Sequence, residues 1–268
     1  MPDRCHGIAS ATLSAVTRLY SQRAVTPWTQ RITLTWAPTV RYFEQRSEIL
    51  SEFEQAGLVH GFEAAEDRVS LQLGDANHFL AFGADRLDAA VLQPDGDVDR
   101  MKTAVSTIIE ALAPSRLGGS WFTFQWLIPQ QPSYDDVRGV LAERLYGKLP
   151  GLTEVDTAVY FVAVGEDPPS RVLVEFGIVE AAEAAPRLAR EIGSMMGFAL
   201  DEAPATLWVE QPLPAVAFFA DTVWYTEDVT DASGDVVVSA WEQTCLAAEA
   251  VVTNLISCTT NTQGDEVG

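Results

Sequence analysis

The chain has 268 residues, of which 47% are apolar, enough for one large domain or two ordinary ones and too many for wholesale disorder. Its formal charge is −21 and is unevenly spread: residues 1–148 hold 14 basic and 18 acidic side chains, residues 149–268 hold 3 and 20. A balance of −17 over the second part repels nucleic-acid phosphates and anionic headgroups and favours a basic protein surface or a cationic ligand, so a basic protein partner is expected, with no nucleic acid and no membrane. No apolar run reaches the roughly 20 residues that a transmembrane helix requires. The N-terminal segment lacks the apolar stretch of a signal peptide and reads as a leader or short helix over 1–27. Cys5, Cys245 and Cys258 are odd in number and widely spaced, which argues against zinc and disulfides and for a reducing, cytoplasmic location.

Along the chain, residues 8–23 are compatible with a helix. Trp28–Trp36 alternates, with Ile32, Leu34 and Trp36 on one side and Arg31, Thr33 and Thr35 on the other, as in a half-buried strand. Pro38 opens a helix running to about Ala56, with Val40, Phe43, Leu50 and Phe53 as its apolar stripe and Gly57 as its stop. Strands are expected near Gly61–Ala65, Arg68–Leu73, Asn77–Phe82 and Arg86–Gln93, joined by turns at Gly74-Asp75 and Gly83-Ala84-Asp85, so this part of the sheet reads as antiparallel. A turn and cap cluster at Pro94–Asp97 opens a second helix that runs to about Ala113, with Val98, Met101, Val105, Ile108, Ile109 and Leu112 on its buried face.

Gly119–Gln130 is the strongest strand in the chain, with Phe122, Phe124, Trp126 and Ile128 on one side and Trp121, Thr123, Gln125 and Leu127 on the other. A helix follows from Ser133, a good N-cap, to about Tyr146. Strands are expected at Thr157–Val164 and Arg171–Val179, separated by a Gly165–Pro169 turn that interrupts pairing. Glu180–Ile192 is helical in composition but weakened or kinked by Pro186, and Gly193–Gly197 reads as a flexible loop. Further strands at Thr206–Glu210 and Ala215–Thr226 precede a final helix over 234–257, with Val237, Trp241, Leu246, Val252, Leu255 and Ile256 near its buried face.

These elements describe an α+β fold of two similar halves, each a strand, a helix, antiparallel strands and a helix, with helices packed on one face of the sheet. The expected units are 28–118 and 119–258, with a frayed tail over 259–268.

No site motif stands out. His6, His60 and His78 have no second ligand at metal spacing, and no nucleophile elbow, P-loop or dinucleotide fingerprint occurs. Asp95-Gly-Asp97-Val-Asp99 lacks the Gly and closing Glu of a calcium loop. No metal, cofactor or catalytic residue is therefore assigned. The aromatic residues of the strands are more economically core than cavity, and Phe124, Trp126, Trp224 and Tyr225 are the natural lining residues if a ligand cavity exists.

Val69–Leu73 and His78–Phe82, followed by Met101–Leu112, Trp121–Ile128, Val216–Tyr225 and Ala240–Ile256, resemble in pattern and order a sporadically distributed family of uncharacterised bacterial proteins of about 250 residues. The resemblance implies an α+β fold with an internal repeat and carries over no activity or site residue. The sequence thus points to a non-enzymatic cytoplasmic protein that engages a basic protein partner through its acidic second half. The alternatives are a small-molecule binder or enzyme with an aromatic-lined cavity, and a self-assembling structural subunit of undetermined oligomeric state.

Overall fold

A computed structural model describes residues 27–74, 78–92, 98–130, 133–145, 158–166, 169–196, 212–229 and 231–260. The expected helix over 8–23, the strand over 206–210 and the turn at 94–97 lie outside these residues, as does all of the tail beyond Thr260.

Among the described residues nine strands form one antiparallel sheet: β1 (Thr29–Trp36), β2 (Val59–Ala64), β3 (Arg68–Leu73), β4 (His78–Gly83), β5 (Arg86–Leu92), β6 (Leu117–Pro129), β7 (Ala158–Glu166), β8 (Pro169–Glu180) and β9 (Val216–Val229). Five helices accompany it among the described residues: α1 (Arg41–Gln55), α2 (Val98–Leu112), α3 (Tyr134–Leu145), α4 (Ala181–Met196) and α5 (Gly234–Thr260). The α+β class is as the sequence implies.

The spatial order is β2-β3-β4-β5-β1-β6-β9-β8-β7. Each half lays its first strand at the centre, crosses by a helix to an outer edge, and returns inward until its last strand pairs with its first. The two central strands β1 and β6 then join the halves, with Ile32 opposite Phe122 and Gln30 opposite Phe124. Among the described residues the second half has one strand fewer, and α4 stands between β8 and β9 in sequence.

Period-2 alternation sends Ile32, Leu34, Leu87, Phe122, Phe124, Trp126 and Phe218 to one face, where α1, α2, α3 and α5 cover them in the main core. Trp241 of α5 is fully buried there, and its Nε1–H donates to Gln30 Oε1 at 3.1 Å. Ser133 caps α3 as expected, accepting from the Asp136 amide and donating its hydroxyl to Asp136 Oδ2 at 2.7 Å. Gly57 ends α1 at φ +66°, a conformation that glycine adopts without steric cost.

Several expectations are corrected. The buried stripe of α1 is Tyr42, Ile49 and Phe53, while Val40 and Phe43 are exposed, because the helix begins at Arg41 and turns its 42/49/53 side to the sheet. Leu246 points outward for a similar reason: the inward series on α5 runs Val237, Trp241, Ala248, Val252, Ile256. Pairing between β7 and β8 continues to Glu166 opposite Pro169, so the turn does not interrupt it. Gly193–Met196 forms the end of α4, not a loop.

The largest departure is α4, which lies on the face opposite the other helices. It packs Ala184 and Leu188 against Phe79, Leu92, Leu127, Val179, Ala217 and Phe219. These strand residues have the opposite parity to the main core, so they require a second cover. A 16-residue helix is about 24 Å long, close to five strand spacings of about 4.8 Å, and α4 accordingly touches β4 as well as β8 and β9. Pro186 lies within α4 and faces solvent. Arg187 lies over the Phe219 ring, 5.2 Å from its centroid, and pairs with Glu175.

Candidate functional site: the open face of the sheet

α4 covers only one end of its face. Register places the remaining residues in rows across the strands. One row reads Asp88, Thr33, Trp121, Tyr225, Arg171, Val164; the next reads Ala90, Arg31, Thr123, Val223, Leu173, Val162. In the following row Thr29 donates to Gln125 Oε1 at 2.8 Å and Gln125 Nε2 donates to Asp221 Oδ2 at 3.1 Å, while Ala90 and Leu92 of β5 already belong to the cluster packed with α4.

At the first-half end of the open face Asp88 is 1% exposed yet charged. Arg86 grips it side-on, with Nε 2.6 Å from Oδ2 and Nη2 2.8 Å from Oδ1. Thr33 donates its hydroxyl to Oδ1 at 2.6 Å, and Arg31 and Arg68 approach at 3.4 and 3.5 Å. Burial alone would raise the Asp88 pKa. The hydrogen bonds from Arg86 and Thr33 and the charges of Arg86 and Arg31 outweigh it and hold the carboxyl below its ordinary value. Three guanidinium groups thus surround one carboxylate, and the charge of Asp85 also acts on Arg86.

Beside it, Trp121 stacks on Tyr225 with ring centroids 4.6 Å apart and 23° between planes. Gly119 makes this possible, because a Cβ there would come 2.8 Å from Trp121 Cη2 and 3.1 Å from Tyr225 Cε2. Between the cations and the indole lies a cleft of about 250 Å³ lined by Arg31, Thr33, Thr35, Arg86, Trp121, Thr123 and Val223.

Toward the other edge the face becomes apolar. Tyr160, Val162 and Val164 of β7 are 65%, 60% and 75% exposed and share a side with Leu173 and Val223. Among the described residues β7 pairs with β8 alone, and its outer edge carries no strand.

The four aromatic residues singled out from the sequence are not brought together. Phe124 and Trp126 are fully buried in the main core, and Trp224 packs against that core from the same side. Tyr225 alone lies on the open face. The residues that sequence reasoning passed over are Arg31, Arg86, Asp88 and Trp121. A charged Asp88 inside the apolar run Leu87–Leu92 was the available signal. His78 is buried under the helices and His60 is exposed on β2, both away from the cleft lining. Cys245 is half-buried, and burial together with the neighbouring Glu249 pushes its thiol up to about 11, so it acts as a small apolar side chain. Among the described residues no cluster of His, Cys, Asp and Glu is arranged to hold a metal, and no helix is long and apolar enough to cross a membrane.

The chain matches no protein-family model and no curated protein. Its nine-stranded α+β architecture and open sheet face are therefore the ground for a functional reading.

Proposed function

We propose that the protein acts by binding, non-enzymatically, and that an extended segment of a basic partner protein adds to the β7 edge and lies over the apolar part of the open face. The observation that carries this reading is the contrast between the two sheet edges. β2 has six residues, a register shift between Val59 and Gly61, and exposed His60 and Glu63, all features that discourage pairing. β7 has nine residues, AVYFVAVGE, with Glu166 its only charge, and presents Tyr160, Val162 and Val164 in alternation. A long, apolar, uncharged edge is a template for strand addition, in which main-chain hydrogen bonds give affinity and alternate side chains give specificity.

Charge selects the occupant. The 20 acidic and 3 basic residues of 149–268 favour a segment flanked by Lys and Arg and oppose a second copy of the same acidic half. The three widely spaced cysteines support a cytoplasmic setting for this activity.

Light scattering combined with size exclusion should give a monomer, and co-purification at low salt should retain a basic protein that is released at about 1 M salt. A β7-dependent dimer would assign the edge to self-assembly instead. Retention only of proteins without a basic surface would overturn the reading.

A further inference from the structure

The geometry points to the cleft between Arg86 and Trp121 as a binding site for a neutral sugar ring, a pyranose with equatorial hydroxyls. The site is independent of the β7 edge, since its residues lie on β1, β5, β6 and β9.

Charge does not select an ion here. Arg86, Arg31 and Arg68 share the carboxylate of Asp88, the charge of Asp85 also acts on Arg86, and Arg31 and Arg68 have further interactions. What the cleft offers is one flat apolar wall beside a rim of hydrogen-bonding groups, the combination that fixes a polar ligand with an apolar face.

Trp121 supplies the wall. It borders the cleft and Tyr225 does not, so Tyr225 backs the indole and the opposite indole face turns toward Thr33 and Thr35. The face of an aromatic ring carries negative potential. The axial C–H groups of a pyranose are polarised positive by their C–O bonds, and when every hydroxyl is equatorial they cover both faces of the ring. Such a ring lies flat on the indole and directs its hydroxyls sideways. A planar aromatic ligand fits the same wall but leaves the polar rim desolvated and unpaired, which costs affinity.

The rim sets donors beside acceptors. Arg86 uses Nε–H and one Nη2–H on Asp88, which fixes the guanidinium plane and turns Nη1 away from that carboxylate, and its side chain is 49% exposed. Thr33 gives its hydroxyl proton to Asp88 Oδ1 at 2.6 Å and Thr35 gives its own to Gly119 O at 3.5 Å, so both present oxygen lone pairs as acceptors. A sugar hydroxyl donates and accepts at once, so neighbouring hydroxyls meet both kinds of group. The arginine head is set before the ligand arrives, which limits the conformational freedom lost on binding.

The test is titration of the intact chain with methyl β-D-glucopyranoside, read by NMR of the indole N–H signals. We expect a Kd on the order of 10 mM or tighter. Three comparison ligands should each bind at least about tenfold more weakly. Cyclohexanol keeps the ring with a single hydroxyl, sorbitol keeps the hydroxyls without a ring, and methyl β-D-altropyranoside places an axial hydroxyl on each face. Benzoate binding as tightly as the glucoside would make the cleft a general aromatic or anion site and overturn the assignment. Trp121→Leu, which leaves the Arg86–Asp88 pair in place, should weaken glucoside binding at least about tenfold. Arg86→Gln should weaken it at least about fivefold and serves as the reporter if Trp121→Leu does not fold. No response to the glucoside at about 100 mM, equal binding of any comparison ligand, or undiminished binding by the folded variants would refute the proposal.

Discussion

Arg86 and Asp88 stand two residues apart on one strand, point to the same face, and form a two-pronged ion pair in which the carboxylate is sealed from solvent and the guanidinium is half in it. The carboxylate thereby organises three arginines at the junction of β3, β5 and β1. Asp88→Asn would remove the buried charge that those three guanidinium groups share. We expect a loss of about 3–5 kcal/mol, measured by urea denaturation at pH 7.

The same pair has a pH signature. The folded pKa of Asp88 is depressed, so its stabilisation is fully present above the unfolded value of about 3.9 and disappears as pH falls through the lower folded value. Wild-type stability should therefore fall below about pH 4 more steeply than that of Asp88→Asn. Parallel acid profiles for the two proteins would show that Asp88 contributes no such linkage.

Gly119 is fixed by a neighbour, since its backbone lies under the Trp121 ring. Gly119→Ala should push Trp121 off Tyr225 and cost about 1–3 kcal/mol. Near-UV circular dichroism, which reports the indole–phenol stack, should change with it. An unaltered spectrum would mean that the ring pair does not persist in solution.

Ala113 follows α2 with φ +41°, a left-handed conformation that a side chain disfavours, and its amide closes the helix on Ile109 O at 2.8 Å. Ala113→Gly should relieve about 1 kcal/mol and raise Tm by roughly 2–4 °C. A lowered Tm would place the residue in an ordinary helical conformation.

Local pattern made the elements legible. Alternation in Trp28–Trp36 and Gly119–Gln130, glycine at 57 and serine at 133 located strands and helix ends to within a few residues, because each signal is carried by side chains close in sequence. The face opposite the main helices was less legible. Its meaning depends on β5 lying beside β1 and β1 beside β6, pairings that join residues 51 to 96 positions apart, and nothing local to Asp88 announces Thr33, Arg31 or Trp121 as neighbours. The helix α4 was obscured in another way, since Pro186 lowered its local propensity while Ala184 and Leu188 found a second apolar surface to cover. Phe124 and Trp126 illustrate the converse. Aromatic content drew attention to them as lining residues, yet their parity places them in the core that the strand itself builds.

The reading of β7 as a docking edge is tested most directly by amide hydrogen exchange on the chain with and without its co-purified partner. Strand addition would pair the outer amides of Ala158–Glu166 and slow their exchange in the complex. Replacing Tyr160, Val162 and Val164 by Ser should abolish the complex while changing the stability of the free chain by less than about 1 kcal/mol, because all three are exposed. Protection that appears elsewhere, with the exchange of Ala158–Glu166 unchanged and the triple variant still bound, would contradict it.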